Sequence, residues 1–404
     1  MSIMPSNPVL RLLHNKKLNR QEQTHQMDNL PHDVLLSILS RLPISSLIQF
    51  RYVCRSWRLL AQHPQVLDLH NSVDDHHNFR CLIFHCDYPI RNQLYFVDLP
   101  DFRDEKLSVK RIFTPFSATM SEYDVVGSCH GFLCLSDSLY NDKLFIYNPF
   151  TRDYLELPKT KEFSNPDVVC GVGFHPQTKQ FKVLTIVYAR GFRRIQRRFS
   201  HSEVQIFTLG SSNWRSIGKL YHHLAQGQPQ AVVNGRLHWV SLPPRHHLGR
   251  AIVSFNLETE QFIDIPKPDL GSLSRNNYHL VILNGCLSAA VYCTYGKMEI
   301  WVMKEYGVKE SWVKTFNIGT YMPKALKQEA EIPFKVSKIV LRGRIVRVLC
   351  ILKSGEILLE YRNRALVLFH PNTGKFKDVA FEDMPHWFQT VVHFGSLNRI
   401  DTMF

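Results

Sequence analysis

Residues 144–157 read LFIYNPFTRDYLEL, and this stretch decides the fold class of most of the chain. Its ends are short runs of β-type residues, and its centre, Tyr147 to Tyr154, is a polar cassette. The cassette has eight positions. In order they are an aromatic residue, Asn or His, usually Pro, any residue, Thr, any two residues, and a second aromatic residue. It recurs at residues 174–181, 255–262 and 369–376. Two strand-like runs joined by a polar turn are typical of a β-hairpin, so each copy predicts one.

A second recurring element is a glycine, one further residue, and then Leu or Ile at the opening of a strand. It occurs at Gly131, Gly235, Gly285 and Gly355. After Gly285 the hairpin is degenerate, but Trp301 and Trp312 flank a turn in the corresponding place. Repeats of about four strands predict a β-propeller with irregular blades. A β-sandwich or double-sheet array is the competing architecture.

Residues 28–70 have a different texture and predict a small helical unit. One apolar stripe at helical spacing comprises Val34, Leu35, Ile38, Leu39 and Leu42. Pro43 ends this first helix, Ser45 or Ser46 is expected to cap a second one, and Pro64 closes that one. Two or three short helices in about 40 residues bury their stripes poorly, so the unit packs on the rest of the chain or meets a partner.

Composition bounds the class of protein. The chain has 404 residues, 44% hydrophobic and 21% charged, which excludes disorder over most of the length. No apolar run approaches the ~18 residues of a membrane span. The nine cysteines form no CxxC pair, which favours a reducing compartment, the cytosol or nucleus. The polar tail 1–26 carries a weak organellar-transit signal in its basic residues 1–21, and Met27 is a candidate alternative start.

One segment supplies over a third of the net charge of +14. Residues 190–198 read RGFRRIQRR and supply five arginines: Arg190, Arg193, Arg194, Arg197 and Arg198. Three interpretations stay open. The segment is a solvated loop, a site for an acidic target segment, or a nucleic-acid site helped by Phe192 and Phe199. Two further loops, 219–230 and 241–250, are also candidates for a target surface.

Two motifs resemble functional sites but are better explained by structure. Residues 127–131, GSCHG, have the spacing of a cysteine nucleophile elbow, but a strand follows where that elbow needs a helix. They are therefore interpreted as a β-turn. The histidine pairs 76–77, 222–223 and 246–247 point to opposite faces of an extended chain and are expected to be loop histidines. No zinc spacing is present, so we predict no metal, no cofactor and no enzymatic activity.

The stretch LPHDVLLSILSRLPISSLIQFRYVCRSWRLL, residues 30–60, resembles an F-box. GSCHGFLCL (127–135), the YNPFTRDYLELP hairpin and GVGFHP (171–176) resemble the F-box-associated domain of the large plant F-box/kelch-repeat type family. No Gly-Gly doublet is present, so the kelch label is architectural only. The resemblance implies a mostly β fold with a small N-terminal all-α unit. It divides the chain into a tail (1–26), an F-box (27–70) and a propeller-like domain (75–398).

The resemblance also implies a function. F-box proteins bind the Skp1-type subunit of a cullin–RING ubiquitin ligase and hold a protein target on their C-terminal domain. The implied Skp1-binding set is Leu30, Pro31, Leu35, Ile38, Leu39, Leu42, Pro43, Leu47, Val53, Cys54 and Trp57. Some of these must form the unit's own core, and the sequence does not divide them. The alternative is a nucleic-acid binder or a scaffold outside the ligase, using the basic segment 190–198.

Overall fold

The fold is described from a computed structural model. The structure describes residues 30–42, 44–61, 63, 65–66, 80–86, 92–99, 108–116, 120, 122–137, 143–160, 167–190, 199–225, 231–243, 249–270, 277–327 and 346–400. The chain divides into two compact units, Met1–Asp74 and Asp75–Phe404.

The first unit is helical. Its helices are α1 (His32–Leu39), α2 (Ile44–Val53) and α3 (Arg55–Ala61). The predicted second helix is therefore two helices that break at Cys54. The predicted serine cap is wrong as well, because α2 begins at Ile44 and includes Ser45 and Ser46 in its first turn. A small core forms from the buried side chains of Leu36, Leu39, Ile44, Leu47, Ala61 and Val66.

The second unit contains six four-stranded antiparallel sheets. Blade 1 contains β1 (Arg80–Cys86), β2 (Gln93–Asp98), β3 (Lys110–Ile112) and β24 (Gln389–Phe394), and blade 2 contains β4 (Tyr123–Cys129), β5 (Phe132–Asp137), β6 (Leu144–Tyr147) and β7 (Tyr154–Glu156). Blade 3 contains β8 (Asp167–His175), β9 (Gln180–Arg190), β10 (Phe199–Thr208) and β11 (Arg215–Gly218), and blade 4 contains β12 (Ala231–Val233), β13 (Arg236–Val240), β14 (Ile252–Asn256) and β15 (Phe262–Ile265). Blade 5 contains β16 (Tyr278–Leu283), β17 (Cys286–Tyr292), β18 (Met298–Met303) and β19 (Trp312–Ile318), and blade 6 contains β20 (Val346–Ile351), β21 (Ile357–Tyr361), β22 (Ala365–His370) and β23 (Lys375–Val379).

The ring is closed by strands from far apart in the chain. β24 pairs antiparallel with β1, from Arg80 opposite Phe394 to His85 opposite Gln389. β24 therefore becomes the fourth strand of blade 1, whose other three strands are the first three of the unit. This six-bladed propeller confirms the predicted architecture and excludes the sandwich.

The core lies between neighbouring blades. One cluster packs Leu184 and Ile206 of blade 3 against Trp239 and Phe255 of blade 4, all of them buried. Another packs Ile300 of blade 5 with blade 6 in the same way. Each of these blades therefore buries part of its apolar surface against a neighbouring blade. Beyond residue 80, the described helical segments are α4 (Lys324–Lys327) and two 3₁₀ turns, Thr294–Gly296 and Lys309–Ser311.

All four cassettes form hairpin turns, as predicted, although not in equivalent places. Three of them join the third and fourth strands of blades 2, 4 and 6, whereas residues 174–181 join the first two strands of blade 3. The polar side chain at the second position shapes the turn: Asn148 Oδ1 accepts the backbone N–H of Phe150 (2.9 Å), and Asn256 Oδ1 accepts that of Glu258 (2.8 Å). Such side-chain bonds replace water at the turn's backbone donors.

The strand order also defines two faces. Since every pair within a blade is antiparallel and the blades repeat around one axis, odd-numbered strands end on one face and even-numbered strands on the other. We call these the odd face and the even face. The strands that precede the candidate loops, β9, β11 and β13, all end on the odd face, a grouping that the sequence could not establish.

Candidate functional site

The helical unit presents apolar side chains that its own core does not cover. Three lie at or near α1: Leu30 is 40% exposed, Val34 42% and Ile38 47%. Tyr52, Val53 and Leu59 of α2 and α3 are also exposed. A unit of this size has no second layer to hide such residues.

The structure divides the apolar set that the sequence left undivided. Leu30, Pro31, Ile38, Val53 and Cys54 are exposed, and Leu35, Leu42 and Trp57 are half-buried. Leu39 and Leu47, each 1% exposed, lie in the unit's own core, so they support the exposed surface by packing beneath it. Pro43 lies outside the described residues.

Two features of this surface escaped the sequence. Val34, Tyr52 and Leu59 are exposed but were not assigned to it, and the α1 stripe alone signalled Val34. Trp57 is half-buried because its ring stacks on Phe50, with centroids 4.8 Å apart and the planes at 26°. Trp57 therefore supports the fold of the unit as well as contributing to its surface.

Charge is distributed unevenly between the two faces of the propeller. The described connections on the even face carry equal numbers of basic and acidic side chains: Arg152, Lys179, Lys304, Lys309, Lys353 and Arg399 against Asp153, Glu258, Glu260, Glu305, Glu310 and Glu356. The basic side chains of the described odd-face connections are Lys143, Lys159, Lys219, Arg250, Lys267, Lys297, Lys324, Lys327, Arg362 and Arg364. The acidic ones are Glu122, Asp269, Glu382 and Asp383. The odd face is therefore the basic one, which favours an acidic partner.

The odd face also carries exposed aromatic and apolar side chains. Tyr221, in the connection after β11, is 98% exposed, and Tyr295, in the connection after β17, is 89% exposed. Met322 is 54% exposed in the connection after β19. Exposed aromatic and methionine side chains are enriched at protein-binding surfaces.

The basic segment that concentrates the charge cannot be placed on this surface. Residues 191–198, with Arg193, Arg194, Arg197 and Arg198, lie outside the described residues, and Arg190 is described only through its backbone at the end of β9. The predicted role of these five arginines stays a prediction.

Parts of the other two loops are fixed by hydrogen bonds. The Tyr188 hydroxyl donates to the carbonyl of His222 (2.9 Å) and accepts from the backbone N–H of Leu224 (3.1 Å). Leu224 in turn forms a β-bridge with Ser241. The odd ends of blades 3 and 4 are thereby joined, and the described parts of these loops form one surface.

The GSCHG segment forms a tight hairpin turn between two strands, at His130 and Gly131, as predicted. Burial raises the pKa of the Cys129 thiol to about 12, whereas a nucleophilic cysteine needs a lowered pKa. Gly131 has a φ of +85°, and a Cβ there would run into Ser396, so the position requires glycine. This geometry supports a structural role for the segment.

The histidine pair 222–223 is described, and its members have separate partners. His222 Nε2 lies 2.9 Å from Asp264 Oδ1, and the His223 ring packs edge-on against Tyr188 at 4.5 Å. The pairs 76–77 and 246–247 lie outside the described residues. Within the described ranges, no group of three or more His, Cys, Asp or Glu side chains is placed to hold a metal ion. Those ranges likewise contain no helix with the length and apolarity that membrane spanning demands.

A helical unit with an uncovered apolar surface, followed by a six-bladed propeller with one basic face, defines a protein-interaction module. Comparison with known families is specific. Residues 27–67 match the F-box-like model, and residues 81–403 match the F-box associated beta propeller domain. The chain belongs to the family of F-box proteins with an F-box-associated propeller, which confirms the resemblance.

Individual relatives also point to this family. The F-box protein At3g07870 of Arabidopsis thaliana is 50% identical over 395 residues, covering 93% of each chain. The F-box/kelch-repeat protein At3g23880 of the same plant is 24% identical, covering 88% of this chain and 92% of the relative. A solved oligogalacturonate lyase in complex with manganese is 9% identical with a TM-score of 0.40, covering 77% of this chain and 76% of its own. That score is too low to support an inference about fold or activity.

Proposed function

We propose that the protein is the substrate-recognition adaptor of a Skp1–cullin–F-box ubiquitin ligase. The F-box binds a Skp1-type protein, and the propeller holds a protein target for ubiquitination. The observation that carries the proposal is the exposed apolar surface of the F-box, formed by Leu30, Pro31, Val34, Ile38 and Val53. An apolar helical surface suits association with a groove on a partner.

The protein acts as an adaptor and contributes no catalytic group of its own in this proposal. F-box adaptors are generally non-catalytic, and ubiquitin transfer then falls to the other subunits of the ligase. The nine cysteines lie within the described ranges, where none of them forms a disulfide, and this fits the proposed reducing compartment, the cytosol or nucleus.

The first test is a pull-down with a purified Skp1-type protein. We expect the double substitution Leu30→Ala and Pro31→Ala to abolish capture, because it removes exposed apolar contacts without entering the core. Ile38→Asp should also abolish capture, since a charged side chain buried against an apolar groove loses its water and gains no partner. Gln49→Ala, at an exposed polar position of α2, is the matched control and should bind as the unchanged protein does.

Circular dichroism of each variant separates lost binding from lost folding. Undiminished capture of Skp1 by the folded Leu30 and Pro31 variant would contradict the adaptor function. A variant lacking residues 27–70 should still retain targets in affinity capture but fail to deliver them to ubiquitination.

A further inference from the structure

Tyr295 has an unusual backbone conformation for its residue type. It lies in the 3₁₀ turn between β17 and β18 with φ 59° and ψ 29°, in the left-handed region. Bulky side chains seldom adopt this region, and its strain tends to persist where function requires it. The ring gains no compensating burial, because the residue is 89% exposed. The turn therefore presents an aromatic side chain to solvent at a cost in backbone energy.

Neighbouring bonds hold the turn in place. Thr320 Oγ1 donates to the Tyr295 carbonyl oxygen at 2.6 Å, so the connection after β19 supports the turn after β17. Cys293 N–H donates to the Lys297 carbonyl at 2.8 Å and closes the turn. Tyr295 and Lys297 consequently project from a fixed base.

The connection after β19 is anchored on blade 6. Tyr321 stacks on Phe376 with ring centroids 4.6 Å apart, and its hydroxyl donates to Asp378 Oδ1 at 3.0 Å. Asp378 Oδ2 accepts the backbone N–H of Lys324 at 3.0 Å. With Tyr321 turned inward, the adjacent Met322 is turned outward and is 54% exposed.

We group Tyr295, Lys297, Met322, Lys324 and Lys327 as one patch, because the Thr320–Tyr295 hydrogen bond joins the two odd-face connections that carry them. The Cα of Met322 lies two residues from Thr320, which puts it within about 8 Å of the residue that contacts Tyr295. The exposed stretches 294–297 and 319–327 contain three lysines and no Asp or Glu. The Asp378 carboxylate beside them is bonded to Tyr321 and to the backbone of Lys324. Two exposed apolar side chains therefore lie near three lysines and one carboxylate on the more basic face.

We propose that this patch docks a short acidic segment of the target protein, with carboxylates on the lysines and an apolar side chain against Tyr295 and Met322. The proposal rests on the adaptor function and specifies the chemistry of the target. Charge complementarity selects an acidic partner. A single-stranded nucleic acid would call for several stacking aromatics along a groove, and the patch has one exposed ring.

The test uses the full chain and labelled peptides of about twelve residues, a length that suits one extended recognition segment. One peptide is rich in Asp and Glu around a single Leu or Phe, and its counterpart has the acids replaced by Asn and Gln. Fluorescence anisotropy should show binding of the acidic peptide, weakened as salt rises, and little binding of the neutral one. Equal binding of the two peptides would overturn the proposal.

Substitutions then locate the site. Lys297→Glu combined with Lys324→Glu should weaken acidic-peptide binding by about tenfold or more. Lys304→Glu combined with Lys309→Glu, in an exposed even-face turn of blade 5, is the matched control and should leave binding unchanged. If the control pair weakens binding equally, the effect is one of overall charge and the patch is not the site.

Tyr295→Gly separates recognition from folding. Glycine adopts a left-handed φ without strain, so this variant should unfold at the same or a higher temperature while binding the acidic peptide more weakly. Unchanged peptide binding by the Tyr295→Gly variant would show that Tyr295 does not contribute to the site. Single-stranded DNA that competes with the peptide and loses binding in the same lysine variants would replace the protein partner with a nucleic acid. Skp1 capture, measured in parallel, reports on the adaptor function independently of either outcome.

Discussion

Glu360 shows how one buried side chain can join two blades. It is 1% exposed in β21, where its Oε1 accepts from Arg347 Nη1 (3.1 Å) and its Oε2 from the backbone N–H of Thr390 (2.6 Å). Arg347 also donates to the Thr390 carbonyl oxygen at 3.1 Å. Because Thr390 belongs to β24, the carboxylate ties blade 6 to the strand that closes the ring.

We expect Glu360→Ala to lower the free energy of unfolding by about 3–5 kcal/mol, since it takes the carboxylate acceptor from a half-buried guanidinium and the only partner of the buried Thr390 N–H in this network. Urea denaturation followed by tryptophan fluorescence measures the change. Glu310→Ala removes the same charge at an exposed turn and should cost no more than about 0.5 kcal/mol. A similar loss in both variants would show that the Glu360 network contributes little.

Two buried histidines make stability depend on pH. Burial lowers the pKa of His238 to about 4 and that of His393 to about 3, so both are neutral in the folded protein at neutral pH. On unfolding below about pH 6.5, each takes up a proton, and the unfolded state is then favoured as the pH falls.

Between pH 6.5 and pH 4, each histidine should remove about 1.4 kcal/mol of stability per pH unit. Urea unfolding at a series of pH values measures the slope. Replacing both residues with Gln should flatten it, and a slope identical to that of the unchanged protein would show that other groups dominate.

At the scale of elements, the hairpin turns share a backbone rule that residue types only partly reveal. The sixth residue of every cassette has positive φ: Arg152 (68°), Lys179 (52°), Glu260 (57°) and Gly374 (67°). Only the last of these is the residue type that this conformation prefers.

Lys179→Gly should therefore stabilise the propeller by roughly 0.5–1 kcal/mol, because the exposed lysine pays for its left-handed backbone. Gly374→Ala should destabilise the propeller by about 1 kcal/mol. An added Cβ at this position meets no atom within 4 Å, so the cost comes only from the strain of a left-handed backbone in alanine. Thermal unfolding measures both. Lys179→Ala is the control and should leave the stability nearly unchanged. Destabilisation by Lys179→Gly together with stabilisation by Gly374→Ala would refute the shared rule.

Elements were predictable where neighbouring residues determine them. The cassettes specify their turns through a local side chain such as Asn148, so the four hairpins followed from the sequence. The break at Cys54 did not, because the apolar period continues across it and the Phe50–Trp57 contact of the folded unit decides the geometry. In the same way, adjacent residues Ile38 and Leu39 lie on one stripe, and only the packing of three helices buries one and exposes the other.

At the scale of the whole molecule, the face that each loop occupies was beyond the sequence. It depends on how the strands are grouped into antiparallel blades, and blade 1 is completed only by pairing between β1 and β24 across more than 300 residues. Residues 395–400 extend this closure. The carbonyl oxygens of Ser396 and Asn398 accept from Asn148 Nδ2 at 3.0 and 2.8 Å, and Leu397 and Ile400 are buried.

Removing residues 395–404 should therefore destabilise the propeller by several kcal/mol, since two buried aliphatic side chains are each worth about 1.5–3 kcal/mol. A lower unfolding temperature in calorimetry is the expected result. Leu397→Ala, a smaller change at the same place, should cost about 2–5 kcal/mol. An unfolding temperature that stays the same after removal would show that β24 alone completes the ring.

The pairing of β24 with β1 also has a consequence during synthesis. A ribosome makes the F-box before the propeller and β24 after every other described strand, so blade 1 lacks its fourth strand until the other five blades have been synthesised. A chain stopped short of β24 would contain an F-box capable of folding beside an open ring. Under the proposed adaptor function, such a product would compete for Skp1 without offering a finished surface to a target, and a premature stop codon would then act as a dominant inhibitor of the intact protein.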